Sequence, residues 1–135
     1  MILYSLKERV SMMDKFPHSA HSGKQCIYML INQDNGKIYI GKSQNPAYRT
    51  HQHFQLLRRN KHPNKSMQND FNNREKNFCW AVLQTGIEPR ESSFVEQDWM
   101  VLFKSFDSQN GYNDRDTYFY RRGKLIGRAK RRNKQ

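Results

Sequence analysis

Residues 26–41 read CIYMLINQDNGKIYIG, two apolar runs on either side of Asn35-Gly36. Asn-Gly in that setting is the strongest short-range sign of a β-hairpin, because both residues tolerate the positive φ that a tight reversal demands. The stretch therefore predicts antiparallel strands over 26–32 and 37–41. In the second strand Ile38 and Ile40 alternate with Tyr39, which directs the isoleucines to a core and Tyr39 to the opposite face, beside Tyr28 across the hairpin. Gly41 then reads as the point where the chain turns sharply toward a helix. A strand tyrosine taken alone usually packs in a core with its hydroxyl satisfied, so the pair by itself does not establish chemistry.

Downstream, Asn45-Pro46 is a helix-start pair, with Asn as cap and Pro in the first turn. Tyr48, His51, Phe54 and Leu57 follow at helical spacing to about Arg59, and Arg49 and His53 stand at i, i+4 on one face. HPNKSMQNDFNNR (62–74) opens on a second proline break and reads as another helix with Met67 and Phe71 together, and NFCWAVLQ (77–84) reads as a third strand. Ser92 or Ser93 is expected to cap a helix running to about Phe103. Before the hairpin, Ile2, Leu3, Leu6, Val10 and Met13 suggest a short amphipathic helix, followed by a linker rich in Pro, Gly and Ser. The expectation is an α/β (α+β) domain: a small three-stranded antiparallel or mixed sheet flanked by helices. Its boundaries fall at an N-terminal extension (1–24), the domain proper (25–114) and a basic tail (115–135).

The chain of 135 residues suits one domain, and only 36% of it is hydrophobic. Twenty-four Lys and Arg against twelve Asp and Glu give a net charge of +12. Such an excess points to a polyanion, nucleic acid first, since each phosphate neutralised releases condensed counterions. A basic domain without such a partner is the plainer alternative. Apolar runs such as WMVLF (99–103) are too short to span a bilayer, and MILYSLKERV breaks its apolar stretch with charge, so no membrane association and a cytoplasmic location are expected. Cys26 and Cys79 sit in strand-like runs without the spacing of a zinc site. In the tail, Arg121, Arg122, Lys124, Arg128, Lys130, Arg131 and Arg132 are candidates for phosphate-backbone contact, and Tyr118, Phe119 and Tyr120 for stacking on bases. A solvated terminus explains the same charges less specifically. A short hairpin around Arg122-Gly123 is also compatible with the tail sequence.

The ordered set of these parts resembles the GIY-YIG endonuclease family. The half-motifs are CIY (26–28) and YIG (39–41), separated by ten residues. AYRTHQHF (47–54) resembles the family's first-helix motif, VEQDW (95–99) the helix with its glutamate, and NGYN (110–113) its closing motif. One departure is Cys26 in place of glycine, which a small soft side chain facing a core accommodates. The resemblance implies a catalytic set of Tyr28, Tyr39, Arg49, His53 and Glu96. It implies Glu96 as ligand to one Mg²⁺ (or Mn²⁺) per active site, and Asn113 as an orienting amide. It further implies that Tyr28 or Tyr39 abstracts or relays the proton of the attacking water, with Tyr28 favoured, and that His53 contacts phosphate or assists the transfer.

The residue types suit that chemistry. Arg49 offers a planar, permanently charged fork to the scissile phosphate. One carboxylate is enough for an ion that keeps its waters and borrows substrate oxygens. A free phenol has a pKa of about 10 and needs neighbouring cations to act as a base, for which Lys42, Arg49 and the ion are candidates. The expected activity is divalent-metal-dependent hydrolysis of DNA phosphodiester bonds by a phage or mobile-element type enzyme, in a bacterial or phage-infected host cytoplasm. No separate recognition domain is visible, which implies low sequence specificity, a homodimer, or a recruiting protein partner. A non-catalytic nucleic-acid-binding protein on the same fold and an RNA-directed nuclease are the competing readings.

Overall fold

The computed structural model describes residues 24–74 and 77–113, together with the backbone of two further strands over 118–121 and 124–128. The N-terminal helix expected over residues 1–14, the linker after it, and Arg122, Lys130, Arg131 and Arg132 of the tail lie outside the described residues.

Strand β1 (Gln25–Asn32) is the centre of a three-stranded sheet ordered β2-β1-β3, with β2 spanning Ile38–Ser43 and β3 spanning Phe78–Ile87. Both pairings are antiparallel. Helices cover both faces, so β1 is buried along nearly its whole length, which explains why its sequence is a continuous apolar run rather than an alternating one. Ile27, Met29, Ile31, Ile38 and Ile40 form one cluster with Ala81, Leu83, Met100 and Phe103. Leu30 joins Leu57, Met67, Phe71, Phe78 and Tyr112 in a second cluster on the other face.

The hairpin is present, but its loop is wider than a two-residue turn. Gly36 alone takes positive φ, at 76°. Its N–H donates to Asn32 O at 2.7 Å, and the side chains of Asn32 and Asn35 accept from the backbone N–H groups of Asp34 and Lys37 at 3.0 and 2.9 Å. Asn therefore acts twice here through its side-chain oxygen.

Strand β2 continues through Gly41 to Ser43 and pairs with β1 along the way, Tyr28 lying opposite Gly41 and Leu30 opposite Tyr39. The sharp turn expected at Gly41 is absent; reversal into the next helix comes after Ser43. The glycine has a different reason. A Cβ there would lie 2.3 Å from the Tyr28 hydroxyl oxygen and 2.4 Å from Cζ, so the ring of Tyr28 occupies the space a side chain would need. On the other side of β1, the register with β3 shifts between Gln25 and Ile27 and again between Ile27 and Tyr28. These bulges bend β3 beside the tyrosine, a common place for such irregularity.

Helix α1 (Pro46–Arg58) starts as its sequence suggests: Asn45 accepts from Tyr48 N–H at 3.1 Å, with Pro46 in the first turn. Its inward stripe is Pro46, Thr50, His53 and Leu57. Helix α2 (Lys65–Arg74) is capped by Asn64, whose side-chain oxygen accepts from Met67 N–H at 3.0 Å. Helix α3 (Ser92–Phe103) follows a short 3₁₀ turn over Pro89–Glu91. Neither serine caps it: the residue at the cap is Glu91, without a side-chain bond, and Ser92 Oγ instead donates to Pro89 O at 2.8 Å. The proline-led turn already supplies the entry geometry, which leaves the serine hydroxyls free to accept from elsewhere.

After α3 the chain returns along β2. Gly111 bridges Ile38 in parallel fashion, and a Cβ on it would sit 2.3 Å from Ser105 O. Strands β4 (Tyr118–Arg121) and β5 (Lys124–Arg128) form a separate antiparallel pair, the hairpin compatible with the tail sequence. The expected architecture, a small α/β domain with a three-stranded antiparallel sheet flanked by helices, is the one observed. Among the described residues no helix is long and apolar enough to cross a membrane.

Candidate active site

A cleft of about 400 Å³ opens beside the outer edge of β2, lined by Tyr39, Arg49, His53, His62, Glu96 and Asn113 among others. Five stretches of chain meet there: β2, α1, the loop between α1 and α2, α3 and the loop that closes the domain. Antiparallel register puts Tyr28, Leu30, Tyr39 and Gly41 on one face of the sheet, with the two tyrosines offset diagonally. Tyr39 is half-buried and borders the cleft; Tyr28 is 1% exposed and lies behind it.

His53, on the inward stripe of α1, joins the two. Its Nε2 is 2.9 Å from the Tyr28 hydroxyl, and its ring meets that of Tyr39 edge-on with centroids 5.2 Å apart. Its other nitrogen, Nδ1, is 2.8 Å from Nε2 of His62, a buried residue in the loop between α1 and α2. His62 Nδ1 in turn accepts from the backbone N–H of Asn64 at 3.0 Å. Burial first, and then the Arg49 charge, push His53 down to about 3 and His62 down to about 4. Both imidazoles are therefore neutral at physiological pH.

Arg49 is half-buried at the cleft wall, one turn before His53, with Nη1 3.4 Å from Gln52 Oε1. Its charge lowers both phenols. Burial is the larger effect and raises both above the ordinary tyrosine value. The phenols are thus not acidified in the free protein, because desolvating a phenolate outweighs one nearby guanidinium. Lys42 is not among the groups acting on either tyrosine. Its ammonium donates to Ser93 Oγ at 2.7 Å and lies 3.4 Å from Ser92 Oγ, and its charge bears on Glu96. Burial raises the Glu96 carboxyl while Lys42 opposes the rise.

Asn113 takes the place of a strand neighbour at the β2 edge. Its side-chain oxygen accepts from Ile40 N–H and its amide donates to Ile40 O, both at 2.9 Å. This pins the residue between Tyr39 and Gly41. Cys26, where the family motif has glycine, is completely buried on the same face of β1 as Tyr28, with Sγ 3.9 Å from Lys24 O.

Among the described residues no group of three or more His, Cys, Asp or Glu is arranged to hold a metal ion. Both nitrogens of His53 and of His62 are already engaged, so neither ring is free to ligate. What the cleft offers is one carboxylate, Glu96, lining the same cleft as the guanidinium of Arg49. That donor set fits a hard cation that retains waters and takes oxygens from the substrate, and does not fit a closed zinc-type site.

The residues expected from sequence to act together are thus brought together, with Lys42 turned toward α3. Of the tail, only backbone is described for Arg121, Lys124 and Arg128. His62 was not singled out by sequence reading. Its only signal is a histidine directly before the Pro63-Asn64 start of α2, where a cap fixes the local backbone.

Comparison with known proteins agrees with this arrangement. The family model of the GIY-YIG catalytic domain matches residues 24–113. The chain is similar to a solved structure of the catalytic domain of the intron endonuclease I-TevI, in a glutamate-to-alanine mutant, with 26% identity and a TM-score of 0.62 over 72% of this chain and 99% of that one. A second structure, of the catalytic domain of the homing endonuclease I-TevI, gives 26% identity and a TM-score of 0.61 over 67% of this chain and 97% of that one. Among curated proteins none matches in sequence. With two-thirds of its length matched and the motif residues gathered around one cleft, the chain belongs to the GIY-YIG family of endonucleases.

Proposed function

We propose that the protein is a divalent-metal-dependent endonuclease hydrolysing DNA phosphodiester bonds, a phage or mobile-element type enzyme of low sequence specificity. The observation that carries this reading is the meeting of Tyr39, Arg49, His53 and Glu96, from three separate elements, in one cleft. DNA as substrate rests on the likeness to a homing endonuclease and on the net charge of +12.

Hydrolysis adds water across the bond between phosphorus and the 3′ oxygen. Arg49 binds the scissile phosphate through its fork and opposes the charge that builds on its oxygens. The water's proton goes to the tyrosine pair. One phenol of the pair has first released its own proton to solvent, so that a phenolate accepts the water's proton and returns to the neutral phenol. Tyr39 borders the cleft, while Tyr28 is the favoured acceptor because its oxygen lies 2.9 Å from His53 Nε2 and the Arg49 charge favours its phenolate. The leaving oxygen is protonated from solvent. Asn113 keeps the β2 edge, and with it Tyr39, in position. Glu96 would hold the divalent ion, which when bound supplies positive charge against the leaving and non-bridging oxygens. The basic tail, with Arg121, Lys124 and Arg128 in β4 and β5, supplies backbone contacts outside the cleft. One active site cuts one strand, so a double-strand break takes a homodimer, a recruiting partner or two encounters.

The test is incubation with supercoiled plasmid and, separately, with structured RNA, each with Mg²⁺ or with EDTA. Cleavage of plasmid in Mg²⁺ alone, lost in Glu96→Ala, is the expected result. Cutting of RNA and not plasmid would replace the substrate, and equal cutting by Glu96→Ala would remove the glutamate from the reaction. Repeating plasmid binding at two salt concentrations without residues 121–135 tests the tail: affinity and its salt dependence should both fall.

A further inference from the structure

The three hydrogen bonds behind the cleft have a direction that can be read without placing a hydrogen. A backbone N–H can only donate, so Asn64 N–H fixes His62 Nδ1 as an acceptor. A neutral imidazole that accepts at Nδ1 carries its proton on Nε2, and His62 Nε2 faces His53 Nδ1 at 2.8 Å. His53 Nδ1 must then accept, which puts the His53 proton on Nε2, 2.9 Å from the Tyr28 oxygen. The same geometry disfavours the cationic form of either ring, because a second proton would point at a donor. The two rings lie edge to edge, their planes 22° apart and their centroids 5.1 Å apart, and are 2% and 4% exposed, so no solvent rearrangement relieves the constraint.

We propose that Asn64 N–H, His62 and His53 form a one-way chain of donors that ends on Tyr28, with His62 as a positioning residue that locks the His53 tautomer. His53 thereby serves Tyr28 as an N–H donor and does not take its proton. The phenol's own hydrogen is turned away from His53, and an oxyanion formed at Tyr28 finds the His53 Nε2–H donor in place, with the Arg49 charge in its favour. The benefit is preorganisation: the donors are aligned before charge develops, and no ring flip is needed when it does. The backbone of Asn64 is held for this purpose by the start of α2. Its side chain caps the helix, and His62 N–H donates to Gln68 Oε1 at 3.0 Å. The proposal rests on Tyr28 acting in phosphodiester hydrolysis; the tautomer chain itself does not.

Two measurements separate those parts. Long-range proton–nitrogen correlation spectra of the ¹⁵N-histidine-labelled protein report which ring nitrogen is protonated, with no substrate present. His53 and His62 should both show protonated Nε2 and bare Nδ1; a protonated Nδ1 on either ring overturns the chain, whatever the enzyme cuts. His62→Phe keeps an aromatic ring beside His53 but removes the donor. His53 should then populate the Nδ1–H form, and kcat for plasmid nicking should fall roughly 10- to 100-fold with KM little changed. His62→Gln, whose amide can present an N–H toward His53, should recover most of that loss and restore the wild-type His53 spectrum. If both variants keep the native fold by circular dichroism and cleave at the wild-type rate, His62 is structural only and the positioning role is wrong. Absence of cleavage by wild type would overturn the nuclease reading and leave the spectra to judge the chain.

Discussion

On one face of the sheet Ile27, Met29, Ile31, Ile38 and Ile40 meet Met100 and Phe103 of α3 in a purely apolar cluster. On the other, Leu30 and the aromatic residues of the second cluster surround a line of polar groups running from Asn64 through His62 and His53 to Tyr28. The same strand supplies both, residue by alternate residue. Odd positions of β1 contribute area removed from water; on the even side Leu30 does the same, while Tyr28 contributes a hydrogen-bonding group whose geometry is fixed by its neighbours. The first arrangement tolerates any shape that fills the space, and the second tolerates only partners that donate and accept in the right order.

Adjacent substitutions in β1 should separate the two. Tyr28→Phe removes one oxygen and should lower kcat by about 10²- to 10⁴-fold, the usual contribution of a general acid–base group. Its stability cost should be about 1–3 kcal/mol, for the His53 N–H left without an acceptor. Met29→Ala, one residue on, should cost about 2–5 kcal/mol in denaturation while the folded protein, assayed well below its Tm, cleaves within a few-fold of wild type. If the Met29 variant loses as much activity as the Tyr28 variant, the two faces are not functionally distinct.

Gly41 is where the faces constrain each other. Its missing Cβ is the space occupied by the Tyr28 ring, while Ile40 beside it is packed on the apolar side. Gly41→Ala should cost about 1–3 kcal/mol as an overpacked site and, by displacing the Tyr28 hydroxyl from His53, lower kcat about as far as Tyr28→Phe. An alanine variant with normal stability and normal cleavage would mean that the ring moves aside freely and that its position is unimportant.

The sequence made the first of these regions far easier to read than the second. The hairpin was visible because Asn35-Gly36 and the apolar runs are local signals, and α1 because Asn45-Pro46 is one. The alternation of Ile38, Tyr39 and Ile40 assigned their faces correctly, since period two follows from strand geometry alone. Gly41 was misread as a turn because glycine has two uses, positive φ and absence of a side chain, and only the partner strand's register tells them apart. Ser92 was misread as a cap because the 3₁₀ turn before α3 is not encoded by any one residue. His62 escaped because it acts on Tyr28 only through His53, a relation among residues 28, 53 and 62 that no spacing rule contains. Lys42 looked like a cation for the tyrosines from its place directly after Gly41, at the end of the expected strand pair. Its side chain instead lies on the Ile40 side of β2 and reaches the start of α3.

The smallest expected effect is on the pH dependence of stability. The folded chain refuses protons on His53 until about pH 3 and on His62 until about pH 4, whereas the unfolded chain accepts them near 6.5. Between those values the unfolded state binds more protons, so the stability these two residues contribute is fully present above about pH 6.5 and is lost as the pH falls. Arg49 faces both rings and adds to the effect; Glu96, raised by burial, takes up its proton more readily when folded and works against it. Tyr28 and Tyr39, also raised, matter only as the pH climbs past about 10, where the unfolded chain ionises first. Because Glu96 and the histidines oppose each other in acid, the informative quantity is a difference between variants. The urea midpoint of wild type should drop more from pH 7 to pH 5 than that of His62→Gln, which has one fewer imidazole to protonate on unfolding. Met29→Ala should lower the midpoint by the same amount at both pH values, since the core of its cluster is apolar; a pH-dependent effect of Met29→Ala would show that the apolar cluster is coupled through β1 to the histidine chain or through α3 to Glu96.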